Sequence, residues 1–156
     1  MSQFSAGNSN FTPTTSTTLA NNYVLTALTA GIVGQVKLIT WGGQGTSLVG
    51  YQTRWGRVTN TPATPTSLAI TAANPNTTPL CTVNTYTTQA ALAALPSGLH
   101  QVSWNVQGGG GGISMPIGGE WIVVGGALGT AFNQIACGNV SGSDANLSSY
   151  TCQWSE

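Results

Sequence analysis

The side chains able to do chemistry are few and scattered: one histidine, His100; three acids, Glu120, Asp144 and Glu156; three cysteines, Cys81, Cys137 and Cys152; and the bases Lys37, Arg54 and Arg57. A hydrolytic triad needs a nucleophile, a histidine and an orienting acid that meet in space, and His100, Asp144 and one of many serines supply the types. No G-x-S-x-G elbow accompanies them, and His100 opens a strand after a Pro96-Ser97-Gly98 turn, where a structural histidine is common. Glycosidase chemistry asks for two carboxylates about 5–9 Å apart; Glu120, between Gly119 and Trp121, is better suited to pairing with an arginine. The run Gly108 to Gly112 has the composition of a phosphate loop, but no Lys-Ser or Lys-Thr follows it and no helix start is predicted to receive an anion.

Metal and thiol chemistry find equally little. The three cysteines are too far apart for a C-x-x-C ligand pair, and an odd count leaves at least one unpaired. They read as small buried apolar thiols, with a Cys137–Cys152 disulfide as the alternative. The segment Asn139 to Asn146 carries one acid, Asp144, and reads as a turn in preference to a calcium loop. No catalytic, cofactor-binding or metal-ligating residue is therefore expected. The densest functional candidate is Tyr51-Gln52-Thr53-Arg54-Trp55-Gly56-Arg57, because arginine and aromatic residues are enriched at the energetic centres of interfaces. Alternation puts Arg54 on the face away from Trp55, to serve either a partner or an internal pair with Glu120.

Composition narrows the partner. Only 4% of the 156 residues are charged and the net charge is zero, against about 25% charged in an ordinary soluble domain, so Thr, Ser, Asn, Gln and Gly must hydrate the surface. Near-zero charge favours association, which predicts a homo-oligomer. Three basic residues cannot neutralise a row of phosphates, so nucleic acid is excluded as a partner. No run approaches the roughly 18 apolar residues of a membrane span, and the start of the chain lacks the basic and apolar regions of a secretion signal.

The elements that would position these residues are strands. Residues 1–20 are Ser, Thr, Asn and Gly with Phe4, Phe11 and Pro13, and show no apolar period; they are expected to form a flexible arm, with residues 21–156 as a single domain. From Asn21 onward, short β-branched and aromatic runs alternate with Gly, Pro, Asn and Ser clusters, the pattern of an all-β sandwich or barrel. Three runs carry a clear period of two: Leu48 to Val58, Val102 to Val106 and Tyr150 to Trp154. They predict that Trp55, Trp104 and Trp154 point inward. Further strands are expected at Tyr23–Thr29, Gln35–Trp41, Thr66–Thr71, Ile113–Ile117, Trp121–Val124 and Gln134–Val140, making eight or nine. Thr88 to Leu95 is the one candidate helical turn, and the glycine run is expected to be a loop between strands.

The order of these segments resembles a family of small bacteriophage virion proteins, the capsid decoration or cement proteins. The likeness spans Tyr23 to Glu156 and rests on a strand ending in arginine followed by a Thr/Pro/Ala-rich stretch, RWGRVTNTPATPTSL, then AITAANPNTTP, and later GLHQVSWNV, MPIGGEWIVV and YTCQWSE. It implies an antiparallel β-sandwich of jelly-roll type with about eight strands, located on the outer surface of the capsid. There it would bind the major capsid protein, stabilise the head, and associate with itself as a homotrimer, without enzymatic activity or cofactor. Phe4, Phe11, Trp41, Arg54 and Arg57 are the candidate contacts, the arm suiting a segment that orders on binding. The alternative is a tail-associated or glycan-binding adhesin, in which an exposed Trp41 or Trp55 would stack on a sugar ring.

Overall fold

Alternating apolar and polar residues have one stable use in a chain of this length: strands whose apolar faces are pressed together in two sheets. The computed structural model of the protein describes residues 1–11, 23–27, 29–44, 50–57, 65–86, 97–105, 107, 109–126, 133–141 and 147–156. These form twelve strands: β1 (Gln3–Phe11), β2 (Tyr23–Ala27), β3 (Val33–Gln44), β4 (Gly50–Arg57), β5 (Pro65–Ser67), β6 (Ile70–Ala72), β7 (Cys81–Tyr86), β8 (Ser97–Asn105), β9 (Gly110–Ser114), β10 (Trp121–Val124), β11 (Gln134–Ser141) and β12 (Leu147–Ser155). One sheet runs β10-β3-β12-β1-β6, with β9 also paired to β3, and the other runs β5-β7-β2-β11-β4-β8. The pairings are antiparallel, and the fold is a β-sandwich.

The inward phases expected for the tryptophans hold. Trp55, Trp104 and Trp154 are 1%, 8% and 0% exposed. Trp55 and Trp104 each meet the Tyr150 ring edge-on, at centroid distances of 6.2 and 6.4 Å, a favoured arrangement because a ring's electropositive edge faces the other's negative face. A buried polar link fastens the sheets at the same place. Thr53 Oγ1 accepts from Trp104 Nε1 at 2.9 Å and lies 2.9 Å from the Tyr150 hydroxyl, so β4, β8 and β12 share one satisfied network.

The flexible arm is corrected over its first half. Residues 3–11 are β1, an interior strand lying between β12 and β6. Phe4, expected to anchor on a partner, is 3% exposed and stacks on Trp154 with centroids 5.9 Å apart. The segment does alternate, Phe4 and Ala6 in, Gln3 and Ser5 out, but Ala6 is too small to mark an apolar face. Beyond the strand itself, Ser2 and Glu156 exchange both backbone hydrogen bonds, at 2.9 and 3.0 Å. Residues 12–20, like the helical turn expected at Thr88–Leu95, lie outside the described residues, as does the Phe11 side chain.

The glycine run is the second correction: Gly110, Gly111 and Gly112 are in strand β9, paired with Gly42, Trp41 and Thr40. Their lack of side chains has a local cause, since a Cβ on Gly111 would sit 2.9 Å from the Trp41 ring. Glycine here makes room for an indole. The remaining strands missed in the sequence are β7, whose described inward residues are Cys81 and Val83, and the break that divides Thr66–Thr71 between β5 and β6.

Candidate interaction surface

Register decides what each functional candidate can reach. In the β4–β8 pair, Thr53 faces Val102, Arg54 faces Gln101 and Trp55 faces His100; Gly56 then faces Gly98, leaving Leu99 as an extra residue. Facing residues share a side of the sheet, so Thr53, Trp55, His100, Val102 and Trp104 are inward, and Arg54 and Gln101 are outward. Arg54 Nε and Nη2 both donate to Gln101 Oε1, at 3.2 and 3.0 Å. The guanidinium has five N–H groups, so three stay available once Gln101 has fixed the side chain. Leu99, 38% exposed, stands beside it, and together with Gly98, His100 and Gln101 they border a shallow open depression.

The internal Arg54–Glu120 pair considered from the sequence does not form. Glu120 is held by Lys37, whose Nζ lies 2.7 Å from Oε1, and this is the ion pair found among the described residues. The other carboxylate oxygen accepts from the Gly118 N–H at 2.7 Å. Gly118 has φ +83° in a turn closed by Gly119 N–H to the Pro116 carbonyl, a backbone shape that favours glycine. The Lys37 hydrogen bond, with backbone N–H groups adding to it, holds the Glu120 carboxyl below its usual pKa.

A carboxyl whose pKa is depressed on folding stabilises the native state above its unfolded pKa, and that contribution is lost as pH falls through the folded value. Comparing melting temperatures of the protein and Glu120→Gln from pH 6 to pH 3 isolates it: the wild-type advantage is expected to shrink below about pH 4.3, the ordinary glutamate value. An advantage that is constant across this range would show that the Lys37 contact contributes nothing.

Arg57 shares the phase of Trp55 and is half-buried. Its Nη2 donates to the Ile122 carbonyl at 2.7 Å, tying β4 to the edge strand β10 of the opposite sheet, and burial lowers its pKa. Trp41 is half-buried over Gly111, its ring 6.4 Å from the His100 ring, which lies 6.5 Å from Trp121 on another side. Trp55, the other tryptophan considered as a sugar platform, is buried. His100 is thus packed among indoles, and no hydrogen bond joins it to a carboxylate or hydroxyl among the described residues.

The cysteines are three buried free thiols, so the alternative Cys137–Cys152 disulfide is not formed. Burial raises the pKa of Cys137, with Cys152 adding to it, and burial also raises that of Cys81, with the Glu156 charge second; neither has the low pKa of a reactive thiol. No group of three or more His, Cys, Asp or Glu side chains is placed to hold a metal among the described residues. Gln101 and Leu99 carry no signal of their own in the sequence: the first needs the strand register to be recognised as Arg54's partner, and the second needs the bulge. Comparison of the chain with known protein families, with curated proteins and with solved structures finds no match.

Proposed function

We propose that this chain is a noncatalytic bacteriophage virion structural protein, a jelly-roll-type decoration or cement subunit that binds the major capsid protein on the outer surface of the head and stabilises it, in association with further copies of itself. The observation that carries the reading is Arg54. It is the one base on the outer face of β4–β8, it is pre-oriented by a neutral residue, and it has no carboxylate partner among the described residues. A fixed arginine beside an exposed leucine, on a flat strand surface almost free of charge, fits the centre of a protein interface. A carboxylate on the shell protein would complete it with paired N–H···O bonds.

The test is binding of purified protein to undecorated heads of the parent phage, followed by co-sedimentation. Arg54→Ala is expected to weaken binding by about tenfold or more, the scale of an interface arginine hot spot, while leaving the melting temperature within a few degrees because the side chain packs outside the core. Undiminished binding by the variant would remove β4–β8 from the contact. The glycan-binding alternative is weakened by the burial of Trp55, 1% exposed.

A further inference from the structure

A strand at the edge of a sheet offers backbone donors and acceptors to any extended chain, and proteins defend such edges with short strands, charges, prolines or covering groups. Among the described strands, four edges are defended. β5 and β6 have three residues each, and β5 begins with Pro65. β10 has four residues and its Ile122 carbonyl is taken by Arg57. β9 is five residues long and mostly glycine.

β8 is different. It has nine residues, SGLHQVSWN, with no Lys, Arg, Asp, Glu or Pro, and no strand among the described residues lies along its outer side. The bulge at Leu99 interrupts its first part and the Asn105 carbonyl is taken by the Gly109 N–H, leaving the regular run His100 to Trp104 as the open edge.

We propose that β8 pairs antiparallel with β8 of a second copy about a twofold axis through Val102. The occupant is indicated by self-complementarity in that register. Residues directly opposed in an antiparallel pair must share a face, so a self-pairing centred on Val102 opposes Val102 with Val102, His100 with Trp104, and Gln101 with Ser103. The inward row then reads aromatic, valine, aromatic, the cross-strand pairs that most stabilise antiparallel sheets, and the outward row is wholly neutral and polar. Centring one residue earlier would instead bring the Leu99 bulge into the pairing and oppose Trp104 with Gly98.

Charge does not resist the contact either. The nearest like charges, the two Arg54 side chains, would be separated by three strand spacings, about 14 Å, beyond the Debye length of about 8 Å at physiological salt. The product joins two six-stranded sheets into one and sets the two Arg54 faces side by side. This contact is a property of the free protein and does not rest on the capsid reading.

Cysteine cross-linking reads the register directly, and the three native thiols are buried and slow to react. Val102→Cys places two thiols on the twofold axis, within the Cα separation of about 4.4–6.8 Å that a disulfide spans, and mild oxidation is expected to give a covalent dimer. Ser103→Cys and Gln101→Cys alone place the equivalent pairs two residues out of step, about 8 Å apart, and are expected to stay monomeric on denaturing gels. The exposed double variant Gln101→Cys/Ser103→Cys sets each new thiol at position 101 opposite the second copy's new thiol at position 103. It is expected to cross-link at both places, and it serves even if Val102→Cys does not fold. Light scattering of the unmodified protein should give two copies or an even multiple. A monomer at tens of micromolar, an odd-numbered oligomer, or cross-linking of the single outward variants as readily as the double would overturn the proposal. Loss of head binding in Arg54→Ala leaves these outcomes untouched, so the two readings fail separately.

Discussion

Deletion of residues 2–11 is expected to unfold the protein, giving a chain with no cooperative thermal transition and the circular dichroism of a disordered polypeptide. β1 is paired on both sides, to β12 from Gln3 to Phe11 and to β6 from Phe4 to Ala6, so its loss opens the middle of a sheet. It also removes Phe4 from Trp154 and the Ser2–Glu156 hydrogen bonds from the end of the ladder. Truncating a buried phenylalanine alone costs about 3–5 kcal/mol, and the whole net stability of a domain is about 5–15 kcal/mol. The ladder and the exposed inner face of β12 come on top of that. A truncated protein with an unchanged melting temperature would mean that β1 is a dispensable arm after all.

Trp154→Ala carries the second large effect. The indole is 0% exposed, stacks on Phe4, and donates from Nε1 to Glu156 Oε1 at 2.8 Å. That carboxylate also accepts from the Leu80 and Cys81 N–H groups, at 2.7 and 2.8 Å, so the indole helps hold the joint between β12 and the start of β7. Truncation is expected to cost about 3–5 kcal/mol, read as a lowered urea midpoint at unchanged m-value. Trp154→Phe, which retains an aromatic ring but not the donor, should lose less. Equal losses in the two variants would place the effect in the Glu156 hydrogen bond and not in packing.

What was legible in the sequence follows from side-chain size. Trp55, Trp104 and Trp154 declare their strands because a large ring on every second position has only one face to go to, and the all-β class follows from such runs between turn residues. β1 and β7 were obscured because their inward positions include Ala6 and Cys81, residues small enough to belong equally to a loop. The glycine run misled for the opposite reason: its composition suits a loop, and only the Trp41 ring packed against Gly111 explains a strand without side chains.

The candidate surface was half visible. Alternation put Arg54 outward, and it is outward; Arg57, three residues on, shares the inward phase of Trp55 and reaches across to β10. Which neutral residue would fix Arg54, and which base would take Glu120, depends on pairings between positions 47 and 83 residues apart. Periodicity within one strand is silent about such partners. The two sheets place Lys37 next to Glu120 and leave Arg54 to Gln101, and the surface proposed for the shell contact exists because of that allocation.

Electron microscopy of a phage particle whose genome encodes this chain is the decisive experiment for the proposed capsid role. Density for this β-sandwich is expected on the outer face of the head, with the β4–β8 surface and Arg54 turned toward the major capsid protein. Density confined to the tail, or a mature particle that lacks the protein, would contradict it.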